Sequence, residues 1–130
     1  MKQNNIVNNG SYKQIDLPKI LKEYDFGCVL SIWEDNGPQV VMELLNNNIP
    51  VIGTMMGGIP DFIIDEKNGF LYNPYDDSSF NIMIEKIKKL NPNDVEQMKE
   101  NITPTTTTFA HFEDIDNIYK KILGENNEKI

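Results

Sequence analysis

The sequence has 130 residues, 39% hydrophobic and 25% charged, enough for one packed core and too apolar for wholesale disorder. Its net charge is −8 and all 12 basic residues are lysines, which argues against a nucleic-acid-binding module or docking on an anionic membrane. No stretch approaches ~18 apolar residues and the N-terminus lacks a signal-like apolar run, so a soluble, cytoplasmic domain is expected.

Along the chain, strand-like and helix-like segments alternate. Asn5-Ile6-Val7 reads as a short strand ended by Asn8-Asn9-Gly10. Asp16 is placed to cap a helix over Leu17 to Glu23, with Ile15 and Ile20 as a hydrophobic staple around it. The run Phe26 to Leu30 reads as a strand covered on both faces, and its apolar neighbours predict a buried, reduced thiol at Cys28, which has no internal disulfide partner. Pro38 opens a helix in which Val40, Val41, Leu44 and Leu45 recur at helical spacing. Pro50 to Gly53 is another strand, Gly57-Gly58 a turn into a brief helix near Pro60 to Ile64, and Asn68-Gly69 a turn before the strand Phe70 to Tyr72.

Beyond Pro74 helices dominate. Asp76 or Asp77 caps one from Ser78 to Leu90, and Asn93 caps another to about Asn101, with Glu96 completing a capping box. Thr105 to Thr108 reads as linker, and a last helix runs from about Phe112 to Leu123, ending at Gly124. The asparagine triplet Asn46 to Asn48 reads as compositional bias. The fold class expected is α/β: a partial Rossmann-like parallel sheet flanked by helices over residues 1–90, with a helical C-terminal segment over 91–130. Ligands of such sheets bind beyond the carboxyl ends of the strands, here the stretches after Leu30, Gly53 and Tyr72.

The stretch after Leu30, Ser31-Ile32-Trp33-Glu34-Asp35-Asn36-Gly37-Pro38-Gln39-Val40-Val41-Met42-Glu43, is a strand-to-helix turn with one carboxylate before the helix and one inside it. Pro38 lacks an N–H, so the first-turn donors are chiefly the amides of Gln39 and Val40, a setting that attracts phosphate. Asp35 suits sugar hydroxyls because a carboxylate only accepts hydrogen bonds, and Glu43 suits a ribose for the same reason. A nucleotide-sugar carries hydroxyls on both sides of a diphosphate and fits this spacing. The spacing also fits a plain helix-end charge at Asp35 and a solvated Glu43.

From Ser31 to Gly69 the sequence resembles the donor-binding half of the group 1 glycosyltransferases, retaining enzymes of the GT-B fold. Asp35 and Glu43 stand as that family's acidic pair, eight residues apart. Asn48-Ile49-Pro50-Val51-Ile52-Gly53-Thr54 matches its "G-x-P-V" strand, Gly57-Gly58-Ile59-Pro60-Asp61 its "GG-x-x-E" loop, and Asn68-Gly69-Phe70-Leu71 its "NG-x-L" turn. The likeness extends from about Asn5 to Leu90, with Asp25 in a family-like position before a strand. It implies donor-sugar contacts at Asp35 and Asn36, backbone amides near the sugar and diphosphate around Gly37, Pro38, Gln39 and Val40, and a ribose contact at Glu43. Asp61 departs from the family's glutamate, and Asn46 to Asn48 replace a small-residue segment expected to allow close helix packing.

The resemblance implies a UDP- or GDP-sugar donor, a glycan or lipid acceptor, no cofactor and no metal. His111 lies outside any motif and reads as a surface or interface histidine, and Asp76-Asp77 as a helix cap. The family's acceptor domain and its basic "G-R … K-G" segment have no counterpart here, so the chain is expected to be part of a larger enzyme, without turnover alone, and to meet a membrane only through a missing partner or domain. The Phe26 to Leu30 strand is expected to have an open edge that invites homo- or hetero-oligomers. The alternative is a non-catalytic interaction module completed by a partner chain.

Overall fold

In the computed structural model, described for residues 6–105 and 108–124, the apolar runs form three parallel strands: β1 (Gly27–Val29), β2 (Val51–Thr54) and β3 (Gly69–Tyr72). Their order is β1-β2-β3, with Cys28 opposite Ile52 and Ile52 opposite Phe70. The helices are α1 (Leu17–Leu21), α2 (Gln39–Asn46), α3 (Asp77–Ile87), α4 (Pro92–Glu100) and α5 (Thr108–Leu123). This is the α/β architecture expected, and the outer edge of β1 pairs with no strand among the described residues.

Alternation along β2 and β3 divides the core between the two sheet faces. Val51 and Leu71 pack with Leu17 and Leu21 of α1, Val41, Leu44 and Leu45 of α2, and Ile59 and Ile63. Ile52, Phe70 and Tyr72 pack on the other face with Met83, Ile84 and Ile87 of α3 and Met98 of α4. Helices on both faces are what a parallel sheet needs to bury its strands. Gly27 lets α2 approach closely, since a Cβ there would sit 2.4 Å from a methyl of Leu44.

Several expectations change. Asn5 lies outside the described residues, and Ile6 and Val7 form no strand and are exposed. Asp16 precedes α1 but makes no side-chain capping bond, and Ile15 is exposed, so no staple forms; Leu17 and Leu21 carry the burial instead. Cys28 is exposed, because β1 is an edge strand with only partial cover; its surroundings still desolvate the thiol enough to push its pKa up. Asp76 does cap α3, accepting from Ser78 N–H at 2.9 Å. The capping box of α4 is Asn91 with Asp94, two residues earlier than the expected Asn93 and Glu96, and it leaves Pro92 at the helix start where its missing N–H costs nothing.

The asparagine triplet has structural roles that composition does not reveal. Asn47 caps the end of α2, its Nδ2 donating to Glu43 O at 2.8 Å, and Asn48 adopts the left-handed φ of 61° that terminates helices. Asn46 exchanges bonds with Thr105, donating from Nδ2 to Oγ1 at 2.8 Å and accepting from the Thr105 amide at 2.8 Å, which pins the chain after α4 to α2. Residues 106 and 107 of the expected linker lie outside the described residues, and α5 begins at Thr108 rather than Phe112. His111 is exposed on α5.

Candidate functional site

The loops that leave the carboxyl ends of β1 and β2 converge. Thr54, fully buried at the end of β2, donates its hydroxyl to Ser31 O at 2.5 Å and so holds the start of the loop after β1. Further on, Ser31 Oγ accepts from Trp33 N–H at 3.2 Å, and Asp35 N–H donates to Trp33 O at 3.1 Å. The loop then turns at Asp35, whose Oδ1 accepts from Gly37 N–H at 3.2 Å. Such a side-chain-to-backbone turn fixes a carboxylate at a loop tip.

The glycine loop clasps this tip from below. Gly58 N–H donates to Asp35 O at 2.7 Å. A Cβ on Gly57 would lie 2.5 Å from Asp35 O and 2.6 Å from Asp35 N, and one on Gly58 would lie 2.7 Å from Asn36 O. Gly57 also has a left-handed φ of 50°. Two glycines are therefore required on steric grounds: they let the backbone after β2 lie directly against the backbone that carries Asp35.

Pro38 closes the turn. The sequence places it as the first helical residue; in the structure it is the N-cap, with φ −68° and ψ 89°, and α2 starts at Gln39. Its carbonyl accepts from Val41 N–H at 2.9 Å and Met42 N–H at 3.3 Å. The amides of Gln39 and Val40 precede any intrahelical acceptor, so the first-turn donors are the two the sequence predicts.

These groups border an open cleft of about 410 Å³ lined by Val29, Ser31, Asp35, Gly37, Pro38, Gln39, Val40 and Ile59. Five of the seven sequence-predicted site residues thus meet there. Asn36 and Glu43 do not line it: Asn36 sets its backbone against Gly58, and Glu43 lies three residues beyond Val40, one turn further along α2. Glu43 is half-buried, and its Oε1 accepts from Gln14 Nε2 at 2.9 Å. The loop after β3 does not reach the cleft; Asp76 and Ser78 border a separate hollow beside α3.

Sequence reasoning missed four contributors. Val29 and Ile59 supply an apolar wall, Ser31 a hydroxyl, and Gln14 the partner of Glu43. Val29 was readable only as part of a covered strand and Ile59 only as a member of the glycine loop, and nothing local ties Gln14 to a glutamate 29 positions away. Among the described residues no cluster of three or more His, Cys, Asp or Glu side chains is placed to hold a metal ion. No helix there is long and apolar enough to cross a membrane.

Chemically, the cleft presents an acceptor-only carboxylate and two first-turn backbone donors at the positive end of a helix, with Val29 and Ile59 as an apolar wall. Such a surface accepts hydroxyls at one end and an anion at the other.

Comparison with known proteins gives a family and a fold. The family model described as Glycosyl transferases group 1 matches residues 2–104. Among solved structures, sucrose-phosphate synthase from Thermosynechococcus elongatus aligns with a TM-score of 0.62 at 20% identity, over 78% of this chain and 26% of that one. The chain spans about a quarter of the synthase's length, and at this identity the likeness is one of fold. No curated protein sequence matches the chain.

Proposed function

Because the chain belongs to the group 1 glycosyltransferases, we propose that the cleft after β1 is the donor half-site of a transferase that moves a sugar from a UDP- or GDP-sugar to a glycan or lipid acceptor with retention. The observation that supports this most is the convergence of Asp35, Gly37, Gln39 and Val40 on one cleft at the carboxyl end of the sheet. In this reading Asp35 accepts hydrogen bonds from the donor sugar, with Asn36 beside it at the loop tip. The amides of Gln39 and Val40 face the diphosphate, where the helix dipole favours negative charge. Glu43 holds the ribose: Gln14 occupies Oε1, and the remaining lone pairs serve the ribose hydroxyls.

Departure of the nucleoside diphosphate needs cationic stabilisation. The sequence holds no arginine and, among the described residues, no lysine lines the cleft, so in this reading the cleft itself does not supply the cation and the isolated chain binds the donor without turnover. Polysaccharide assembly in the cytoplasm is the setting this reading favours. A second reading, a non-catalytic module completed by a partner chain, is favoured by the unpaired edge of β1.

Calorimetric titration with UDP-glucose and GDP-mannose tests the proposal. One donor class should bind, and Asp35→Asn and Glu43→Gln should each weaken it about 10- to 100-fold, the range for losing hydrogen bonds to a charged group. Failure of both donors to bind at millimolar concentration, or unchanged affinity in both variants, contradicts the assignment. Sugar transfer by the purified chain would overturn the claim that it lacks turnover.

A further inference from the structure

Glu43 stands one turn along α2 from the amides of Gln39 and Val40. The Cα–Cβ bond of a helical residue tilts towards the helix N-terminus, so the Glu43 side chain sets out towards the cleft. A glutamate is long, and holding its carboxylate in one place forfeits rotamer freedom. Among the described residues the Glu43 carboxylate takes one side-chain hydrogen bond, from Gln14 Nε2 to Oε1 at 2.9 Å. No lysine there forms an ion pair with it, although Lys13 adjoins Gln14 in the chain. The difference matters chemically. An ammonium would neutralise the carboxylate and compete for its oxygens, whereas an amide orients it and leaves the charge and about three of its four lone-pair sites to a ligand.

The position of Gln14 is itself set by packing. The short helix Gln14–Asp16 runs directly into α1, the Leu17 amide donating to Gln14 O. Leu17 and Leu21 are buried against Val41, Leu44 and Leu45 of α2, the helix that carries Glu43. Residues 6–16 are all exposed, so no buried core of that segment forces the contact. The docking of α1 on α2 thus brings the Gln14 amide to the Glu43 carboxylate.

We propose that Gln14 is a positioning residue of the donor site: it presents the Glu43 carboxylate to the vicinal hydroxyls of the donor's ribose, and so sets donor affinity and the preference for ribose over 2′-deoxyribose. This rests on the reading of the cleft as a nucleotide-sugar site. Two hydroxyls need two acceptor positions at a fixed spacing. A carboxylate free to rotate must be ordered when the ligand binds, and one already held by Gln14 is spared most of that cost.

Calorimetric titration of the whole 130-residue chain with UDP-glucose, GDP-mannose and the 2′-deoxyribose form of each tests this. Gln14→Ala should bind the preferred donor about three- to tenfold more weakly than the parent. In a Glu43→Ala background the same change should add nothing, because Gln14 acts through Glu43. The parent's preference for ribose over 2′-deoxyribose should shrink in Gln14→Ala; a merely structural role would weaken both donor forms equally and leave the preference unchanged. Gln14 is exposed, and far-UV circular dichroism verifies that its truncation leaves the fold intact. Unchanged affinity in Gln14→Ala while Glu43→Ala weakens binding, additive losses in the double variant, or an unchanged ribose preference overturns the proposal and leaves the donor reading standing. Unaltered affinity in Glu43→Ala overturns the ribose role on which the proposal stands, and failure of both donors to bind overturns the donor reading with it.

Discussion

Replacing Gly57 with alanine tests the clasp that fixes the Asp35 loop. The added Cβ meets Asp35 O at 2.5 Å and Asp35 N at 2.6 Å, both backbone atoms that no rotamer change can move aside. Holding an alanine at the left-handed φ of 50° costs about 1 kcal/mol, and forcing two backbones apart about 1–3 kcal/mol more. The reduced freedom of the unfolded alanine chain returns about 0.4–1 kcal/mol, leaving a net loss near 2 kcal/mol. For a domain of this size that lowers Tm by about 7 °C, measured by circular dichroism or calorimetry. Gly37→Ala is the internal control: nothing lies within 4 Å of its Cβ, so its Tm should stay within a few degrees of the parent. Donor affinity should fall with the Gly57 variant even below its Tm, since the loop carrying Asp35 must shift. Equal Tm values for the two variants would refute the steric argument.

Other consequences follow from single contacts. Thr54→Val removes the hydroxyl that donates to Ser31 O while nearly keeping the volume, and should cost about 1–2 kcal/mol by denaturant titration. Asn68 is buried, its Oδ1 accepting from Ile64 N–H at 2.7 Å and its Nδ2 donating to Phe62 O at 3.1 Å, so Asn68→Ala should cost about 2–3 kcal/mol in the same assay. The Ser78 hydroxyl and amide hold the Asp76 carboxyl below its usual pKa. That stabilisation is therefore full above the unfolded-state value of about 4 and is lost as pH falls through the lower folded value; amide exchange in the first turn of α3 should rise there, and Asp76→Asn should abolish the dependence. Burial raises the Cys28 thiol pKa, so alkylation by iodoacetamide should run slower than for a free cysteine at equal pH, despite the exposure of the residue.

Elements whose signal is local were legible. The apolar strands β2 and β3, the Asp76 cap and the Asp35-to-Glu43 spacing on the entry to α2 all depend on neighbouring residues. What depended on long-range placement was not. Cys28 sits in an apolar run, yet its burial depends on whether another strand lies beside β1, and composition is silent on that. The capping box of α4 moved by two residues because Asn91, Asn93, Asp94 and Glu96 offer two overlapping cap patterns, and Pro92 decides between them. Gly57-Gly58 reads as a turn; that its lack of side chains holds another loop in place depends on Asp35 O lying against it, a contact made by the fold. Gln14 had no sequence signal at all, since its partner Glu43 is reached by the fold and not by spacing.

In the proposed function the cleft after β1 binds a nucleotide-sugar. Amide shift mapping by two-dimensional NMR, with the isotope-labelled chain titrated with UDP-glucose and with GDP-mannose, tests it most directly. One donor should move the amides of Gly37, Gln39 and Val40 together with that of Glu43, in a saturable manner and with a single dissociation constant. Shifts confined to other surfaces, or none at millimolar donor in a folded chain, would contradict it.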